Sequence, residues 1–402
     1  MEQAKKETEK PKKSNDISIY VHIPFCVRKC PYCDFNSGVP SSEDTFFYYT
    51  DAILKELDLN SELLAGRKLV SVYIGGGTPS VMPSMCMGRI LDRISDIIHV
   101  DDDTEITMEV NPGTVNKYKI NDYVKMGINR ISLGGQSAVD EELRALGRIH
   151  TAKDLKEAFD MFYWGGIDNI SVDIMTSIPY QTPDSLITTL DTVTGLHPRH
   201  ISAYSLIIEQ GTPFYDKYMY GNLALPSEED SYYLYKLAQQ YLTSKDYKRY
   251  EISNYAIYDG KGASSGKDFR CVHNLRYWSR GDYLGVGLSA ASLIGDHRFT
   301  NTNELESYVS APGRFRSEDM ILQTTDAMAE FMFLGLRKTD GFMISDFERD
   351  FGMPIDEVYG AVMRRHIDAG VAERVKEEDD ERFYLTDTGL DVSNQVMCEY
   401  LF

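Results

Sequence analysis

Short β-type runs alternate with longer amphipathic segments along the first half of the chain. The β-type runs are ISIYVHI (17–23), SVYI (71–74), EITMEV (105–110), RISL (130–133), NISVDIM (169–175) and HISAYSLI (200–207). Between the runs, apolar residues recur at helical spacing, as at Phe46, Tyr49, Ile53 and Leu57 after Ser42, and at Leu155, Ala158, Phe159 and Phe162 between Thr151 and Trp164. Six such repeats predict an α/β fold with parallel strands joined by right-handed crossovers. The periodicity fits both a doubly wound sheet and a partial (β/α) barrel.

Residues suited to helix ends mark several boundaries. Asn121 and Thr151 are predicted N-caps, because their side chains can accept hydrogen bonds from the free N–H groups of a first turn. Gly127 and Gly165 are predicted to end helices, since glycine enters the left-handed conformation at little cost.

The pattern changes after residue 247. Strand candidates KRYEIS, YLGVGLSAAS and HRFTN flank a Gly/Ser-rich loop at 259–268, which suits a lid or a tolerated insertion. From residue 326, helical segments lead to a hairpin, AERVKEEDDERFYLT, and a last helix with Leu390, Val396 and Leu401. We therefore expect a disordered polar tail at 1–15, an α/β domain with accessory strands at 16–310, and a small helical, winged-helix-like domain at 325–402.

The charge of the chain narrows the classes of partner. The 402 residues include 42 Lys and Arg against 62 Asp and Glu, a formal charge of -20. Nucleic-acid binding needs a basic surface, so it is not expected for this chain. The same holds for the winged-helix-like segment, which contains 8 Lys and Arg against 18 Asp and Glu. No apolar run is long enough for a membrane span, and the N-terminus lacks the apolar region of a signal peptide. These features predict a cytoplasmic protein.

Three of the six cysteines are clustered, and their spacing suggests a metal centre. Cys26, Cys30 and Cys33 form a C-x3-C-x2-C pattern in a loop after the first strand. Three thiolates can hold three irons of a [4Fe–4S] cluster and leave the fourth iron open to another ligand. Arg28 and Lys29 would offset the negative charge of such a cluster. The alternative is a zinc site, with His22 as fourth ligand of a Cys3His set, in a binding protein without redox chemistry.

The surroundings of the cysteines carry a resemblance. The cysteine loop, followed by GGGTP at 75–79 after the second strand, resembles the radical S-adenosylmethionine (SAM) superfamily. Further motifs resemble its coproporphyrinogen III oxidase-like branch: YVHIPFC (20–26), YCDF (32–35), EVNP (109–112), RISLGGQS (130–137), LGRIH (146–150), SVDIM (171–175), YEISNYA (250–256) and HNLRYW (273–278). The resemblance implies a partial (β/α)6 barrel with the cluster and SAM at the carboxyl ends of the strands.

The resemblance also implies roles for individual residues. Gly76, Gly77 and Thr78 would lie against the amino group of SAM, and Glu109 would hold the same polar end. The other implied positions are Gln136 and Asp173 at the ribose hydroxyls, Arg148 at the carboxylate, and Tyr20 and Tyr32 as aromatic neighbours of cluster and cofactor. The implied chemistry is reductive cleavage of SAM to methionine and a 5′-deoxyadenosyl radical, with electrons from a separate donor.

Three features favour the haem chaperones of this branch over its true oxidases. Cys33 is followed by Asp34 and Phe35 where the oxidases have a fourth cysteine two residues after the third, the H-N-x-x-Y-W motif is present, and the segment before the cluster is short. His273 is then a candidate haem ligand, with Cys271 as a weaker one. The implied cargo is haem or a porphyrin, and the implied partners are haem-accepting respiratory proteins, with at most peripheral contact with membrane proteins. Oxidation of coproporphyrinogen III in porphyrin biosynthesis is the enzymatic alternative.

Overall fold

A computed structural model describes residues 14–258 and 268–401. Residues 1–13 of the predicted tail and 259–267 of the predicted loop lie outside the described residues. The chain is fixed to the rest of the molecule from Asn15, whose side-chain amide donates a hydrogen bond of 2.7 Å to the carbonyl of Gly66.

The described residues form a sheet of twelve strands in the order β12-β11-β10-β9-β1-β2-β3-β4-β5-β6-β8-β7. Strands β1 to β6 are parallel in sequential order, which is the arrangement of a partial (β/α)6 barrel. The strands are β1 (Asp16–Ile23), β2 (Lys68–Gly76), β3 (Glu105–Val110), β4 (Arg130–Gln136), β5 (Ile170–Thr176), β6 (His200–Ser205), β7 (Lys248–Arg249), β8 (Asn254–Ala256), β9 (Tyr283–Val286), β10 (Ala291–Ile294), β11 (His297–Asn301) and β12 (Arg316–Ile321).

Helices connect the parallel strands, and further helices follow β6. They are α1 (Asp44–Leu59), α2 (Ser61–Leu64), α3 (Ser84–Ile97), α4 (Lys117–Lys125), α5 (Asp140–Ala145), α6 (Ala152–Gly165), α7 (Pro183–Gly195), α8 (Pro213–Met219), α9 (Glu228–Ser244), α10 (Val272–Trp278) and α11 (Leu305–Ser310). Each helix between consecutive parallel strands is a crossover of the kind the alternating pattern predicts.

The alternation of residues in β1 explains the two faces of the sheet. Ile17, Ile19 and Val21 are fully buried and belong to the main apolar core with the helices. Tyr20 and His22 point to the opposite, concave face, because successive side chains of a strand alternate. The main apolar core therefore lies between the sheet and the helices, and Tyr20 and His22 lie on the other side of the sheet.

A second apolar core lies in the C-terminal part of the chain. It is centred on Phe331, Phe347, Tyr359, Phe383 and Tyr400. Its elements are α12 (Thr324–Gly335), β13 (Phe342–Met343), α13 (Ile344–Phe351), α14 (Ile355–Val358), α15 (Gly360–Asp368), β14 (Ala372–Glu377), β15 (Asp380–Leu385), α16 (Asp387–Asp391) and α17 (Ser393–Cys398). The helices and the sheet β13-β15-β14 agree with the predicted winged-helix-like arrangement.

Several local predictions need correction. Asn121 lies inside α4, and the N-cap is Asn116, whose side chain accepts from the N–H groups of Tyr118 and Lys119. Gly165 is the last residue of helix α6, and the left-handed C-cap is the next residue, Gly166, with φ 108°. The predicted last helix is broken into α16 and α17 at Val392, and Leu401 is exposed beyond them. In the described ranges, no helix combines the length and the apolar character needed to cross a bilayer.

The predicted cap at Thr151 is confirmed and provides a stability test. Its hydroxyl accepts from the N–H of Asp154 at 3.2 Å, and the Asp154 carboxylate accepts from the N–H of Thr151 at 2.8 Å. Thr151→Ala should lower the free energy of unfolding by about 1 kcal/mol, measured by urea denaturation, since a free N–H group of α6 loses its acceptor. Thr192→Ala in the interior of α7 is the matched control and should not destabilise, because alanine favours a helix. Equal losses in the two variants would contradict the role of the cap.

Candidate metal centre and cofactor site

A cleft opens at the carboxyl ends of the parallel strands, where ligands bind in this architecture. The structure brings most of the predicted site residues together there. They are Cys26, Cys30, Tyr32, Cys33, Gly76, Gly77, Thr78, Glu109, Gln136, Arg148 and Asp173. The structure therefore places the three cysteines around the same cleft as the glycine run.

The cysteine loop is closed at its base by backbone hydrogen bonds. The N–H of Cys26 donates to the carbonyl of Gly38 at 2.9 Å, and the N–H of Gly38 donates to the carbonyl of Pro24 at 2.8 Å. A tight turn brings the N–H of Cys33 to the carbonyl of Cys30 at 3.1 Å. Cys26 is buried, while Cys30 and Cys33 are partly accessible from the cleft. Burial raises the pKa of the Cys33 thiol.

The glycine run lies against the cysteine loop. The N–H of Gly77 donates to the carbonyl of Ile23 at 2.8 Å, and the N–H of Thr78 donates to that of Phe25 at 2.7 Å. The hydroxyl of Thr78 lies 3.7 Å from Cys26 Sγ. A Cβ atom at Gly77 would lie 2.7 Å from the Phe25 carbonyl oxygen, closer than atoms can approach. Glycine is required here so that the two loops can be in contact.

Arg148 lies between the cysteine loop and β4. Its Nη1 lies 3.8 Å from Cys30 Sγ, and its Nη2 donates to the carbonyl of Gly134 at 2.9 Å. Its Nε atom is buried without a hydrogen-bond partner. A guanidinium favours neighbouring anions, and this free donor suits a second group, such as a carboxylate.

Glu109 is a buried carboxyl group at the end of β3. Tyr73 donates its hydroxyl to Oε1 at 2.9 Å, and the N–H of Gly76 donates to Oε2 at 3.0 Å. Burial raises the pKa of Glu109 to about 7, with a smaller contribution from the nearby carboxyl of Asp173. A cation at this end of the cleft would favour the ionised form.

Asp173 and Gln136 lie on neighbouring strands. Asp173 accepts from the hydroxyls of Ser132 at 2.8 Å and Ser171 at 3.2 Å, and burial raises its pKa. Gln136 has φ 63° where the register of β4 and β5 shifts, and its Oε1 accepts from the Tyr204 hydroxyl at 3.1 Å. Both side chains present oxygen atoms to the cleft, as hydroxyl recognition requires.

Two predicted site residues lie outside this cleft. Tyr20 lies in the middle of β1, where its hydroxyl pairs with His22 Nδ1 at 3.0 Å and its ring stacks on Tyr73. His273 lies in α10 and faces the barrel interior, 1% exposed. Its Nδ1 pairs with the Ser71 hydroxyl at 2.9 Å, and its Nε2 has no hydrogen-bond partner.

His22 is not placed as a zinc ligand. Its Nδ1 is engaged by Tyr20, and its Nε2 lies 3.0 Å from the carbonyl of Asn36. Since both ring nitrogens are engaged, a Cys3His zinc site would need this imidazole to break both contacts. Three thiols with an adjacent guanidinium fit an iron–sulfur cluster that keeps one open iron.

Sequence reasoning missed several residues around the cleft. Tyr73 shares a face of β2 with the glycine run, and Ser132 and Tyr204 line the cleft from β4 and β6. Counting positions in steps of two back from Gly75 and Gln136 would have found Tyr73 and Ser132, because alternate strand residues share a face. No comparable pattern in the sequence pointed to Tyr204.

Comparisons with known proteins agree with this geometry. The family model of the Radical SAM superfamily matches residues 20–193, and that of the HemN C-terminal domain matches residues 322–392. The chain is 33% identical to the haem chaperone HemW of Haemophilus influenzae, over 96% of this chain and 98% of that protein. The HemW of Bacillus subtilis is 32% identical, over 96% and 99%. The chain belongs to the HemW family.

A solved structure agrees with the fold of this HemW family member. Coproporphyrinogen III oxidase (HemN) from Escherichia coli, a radical SAM enzyme, matches with a TM-score of 0.80 and 22% identity, over 96% of this chain and 90% of that one. The barrel and the C-terminal domain are thus those of a HemN-like protein. Membership of the radical SAM superfamily also establishes a [4Fe–4S] cluster and SAM as cofactors.

The residues present fit both cofactors of the HemW family. The three thiols would hold the cluster, and the unpartnered Arg148 Nε and the carboxyl of Glu109 suit the charged groups of SAM. When bound, the cluster supplies an electron to the sulfonium of SAM. With its glycine run the chain itself would orient the cofactor, and its buried polar groups would surround it and exclude water.

Removal of one thiol tests the metal centre. Cys33→Ala, reconstituted anaerobically with iron and sulfide, should lose most of the iron and the visible absorption of the cluster, since one iron lacks its ligand. Cys398→Ala, at an exposed position remote in sequence from the loop, is the matched control and should keep both. Full cluster content in Cys33→Ala would overturn the assignment of the three ligands.

The raised pKa of Glu109 predicts a pH-dependent affinity for SAM. We expect the carboxylate form to bind the ammonium group of SAM, so that affinity rises by up to about ten-fold per pH unit below the pKa of about 7 and levels off above it. Calorimetry in buffers of different ionisation enthalpy should show proton release near pH 6. Glu109→Gln should remove the slope, and Glu141→Gln on exposed α5 should keep it. A wild-type affinity independent of pH would contradict this role.

Proposed function

We propose that this protein is a cytoplasmic haem chaperone that binds haem beside a radical SAM centre and passes it to respiratory haem proteins. A cellular reductant would supply electrons to the cluster. The observation that carries the proposal is the similarity to HemW over almost the whole of both chains, with 33% identity to the Haemophilus influenzae protein. Because the similarity covers almost the whole of both chains, the proposal concerns the barrel together with the C-terminal domain.

The cysteine loop supports this proposal over porphyrinogen oxidation. Asp34 is exposed at the position after Cys33, and the loop carries no fourth cysteine before β2. The likeness to HemN lies at 22% identity, and it supports the shared fold rather than a shared reaction.

His273 is the proposed haem ligand. Burial lowers the pKa of its imidazole to about 3, so the ring is neutral and keeps a lone pair for a metal. Its unpartnered Nε2 is the buried atom that such a ligand would use. Cys271 suits the role less well, because burial raises its thiol pKa to about 12 and its Sγ lies 3.5 Å from Glu105 Oε1.

Haem titration of anaerobically reconstituted protein tests the proposal. His273→Ala should weaken haem binding by about ten-fold or more and abolish the spectrum of imidazole-ligated iron, since the axial bond is lost. His99→Ala, which removes an exposed imidazole, is the control. His273→Asn keeps a side chain that can bond Ser71, so it separates loss of the ligand from loss of folding. Wild-type spectra in both His273 variants would remove His273 as ligand.

Incubation of the reduced, reconstituted protein with SAM and coproporphyrinogen III tests the enzymatic alternative. We expect no protoporphyrinogen, while haem added in parallel binds and is transferred to an apo-cytochrome acceptor. Formation of protoporphyrinogen at catalytic rates would replace the chaperone proposal with oxidase activity.

A further inference from the structure

Polar side chains line the interior of the barrel behind the cofactor cleft. Alternate residues of β5, such as Val172, belong to the main apolar core. Ser171 and Asp173 therefore lie on the other side of the sheet, because successive side chains of a strand alternate. His200, the first residue of β6, lies beside Ser171 in the register of the two strands. Ser171 and His200 are buried, so their polar groups need partners inside the protein.

The buried polar groups form one continuous chain of hydrogen bonds that starts at Asp173. The Ser171 hydroxyl lies 3.2 Å from Asp173 Oδ1 and 2.8 Å from His200 Nδ1. On the other side of the ring, His200 Nε2 lies 2.9 Å from the Tyr250 hydroxyl. The backbone N–H of Cys271 donates to the same hydroxyl at 3.1 Å. Of these residues, only Asp173 lines the cofactor cleft.

The imidazole of His200 is neutral. Burial holds its pKa well below the usual value, and the nearby guanidinium of Arg130 lowers it further. A neutral imidazole carries one hydrogen, so one ring nitrogen donates and the other accepts. The contacts at the two ends of the ring decide which nitrogen carries the hydrogen.

These contacts assign the hydrogen of the ring to Nδ1. The Tyr250 oxygen accepts from a backbone N–H, so its own hydrogen is free to bond His200 Nε2. Nδ1–H then donates to the Ser171 oxygen, and the Ser171 hydrogen donates to Asp173. With the hydrogen on Nε2 instead, the Tyr250 hydrogen would have no acceptor among these groups, and Ser171 would donate to the ring rather than to Asp173. The Nδ1–H form is therefore the one that uses every hydrogen of the chain.

Every donor in this chain points toward the carboxylate of Asp173. Aligned hydrogen bonds polarise one another, so the last bond is strengthened by those behind it. The hydroxyls of Ser171 and Ser132 each hold one oxygen of this carboxylate, which fixes its orientation in the cleft. An ionised, oriented carboxylate forms charge-assisted hydrogen bonds with the hydroxyl groups of a ligand.

We propose that His200 and Tyr250 are positioning residues for the ribose of SAM. They act through Ser171 and keep the carboxylate of Asp173 ionised and oriented toward the ribose hydroxyls. This role rests on the placement of the ribose at Asp173, which the resemblance to the radical SAM branch implies, and it is independent of haem binding. It also gives a function to the first residue of the YEISNYA motif at 250–256.

The tautomer of His200 is the first test. In ¹⁵N spectra of the reconstituted protein, the imidazole signals that His200→Asn removes should show a protonated Nδ1 and an unprotonated Nε2 at neutral pH. Tyr250→Phe should move the Nε2 signal toward that of a free lone pair, since its donor is lost. A ring protonated at Nε2 in the wild type would reverse the chain and overturn the proposal.

Recognition of the ribose is the second test. The wild type should bind SAM more tightly than an analogue without the 2′ and 3′ hydroxyls, and Tyr250→Phe should reduce this preference about two- to five-fold, because Asp173 loses the support of the chain. Tyr400→Phe is the matched control, since Tyr400 pairs with His366 Nδ1 at the same 2.9 Å within the C-terminal core. It should leave the preference unchanged. The ratio of two affinities in one variant cancels any general loss of folded protein.

Two substitutions of His200 separate positioning from packing. The amide nitrogen in His200→Asn lies near the place of Nδ1 and can still donate to Ser171, whereas the amide in His200→Gln reaches the place of Nε2 and leaves Ser171 without this donor. His200→Asn should therefore keep more of the ribose preference than His200→Gln, although asparagine fills less of the space. Equal preferences, or the reverse order, would contradict the positioning role.

Asp173→Asn tests the placement of the ribose itself. It should reduce the preference for SAM over the analogue more than Tyr250→Phe does, because the charge is lost. If Asp173→Asn leaves the preference unchanged, the ribose lies elsewhere and the proposal fails with its premise. If Asp173→Asn removes the preference but Tyr250→Phe and both His200 variants retain it, the ribose placement stands and the positioning role fails.

Discussion

The backbone pairing of β1 with β2 continues beyond both strands, and the position of the cysteine loop depends on it. The N–H groups of Gly77 and Thr78 reach the carbonyls of Ile23 and Phe25, so the chain is held in register up to the residue before Cys26. Backbone hydrogen bonds are stiffer than contacts between long side chains. The distance between the thiols and the glycine run is therefore set by the sheet itself, as a preorganised site requires.

The concave face of the barrel is polar at both ends, and each end satisfies its buried charges differently. At the cofactor end, Glu109 and Asp173 are held by hydroxyl and N–H donors, and burial raises the pKa of both carboxyls. At the other end, Glu105 accepts from the N–H groups of Val272 and His273 at the start of α10, at 3.0 and 3.1 Å. Arg130 Nε lies 3.9 Å from the same carboxylate. A helix N-terminus and a guanidinium stabilise this carboxylate, and α10 is thereby docked across the barrel.

Much of the barrel could be predicted from the alternation of β-type runs with helical segments, because helices between the strands, such as α6, bury one face with regular spacing. The barrel closure and the site required the resemblance, since spacing cannot tell a doubly wound sheet from a partial barrel. Asn121 was wrong as a cap because several polar residues near a helix start have suitable side chains, and only backbone geometry selects Asn116. The placement of Tyr20 and His273 also escaped prediction. It depends on how far along the barrel axis each side chain lies, which one-dimensional patterns do not contain.

The carboxylate of Glu330 links the C-terminal part of the molecule to the large sheet. It lies on α12, within the C-terminal core, yet it is buried against Arg280 and Arg298 of the segment that carries β9 to β11. Removing one partner of a buried ion pair costs about 3–5 kcal/mol. A gene fragment that encoded the barrel alone would leave two guanidinium groups beside an empty surface. The stability of the sheet edge that carries Arg280 and Arg298 therefore depends on the C-terminal helix that supplies Glu330.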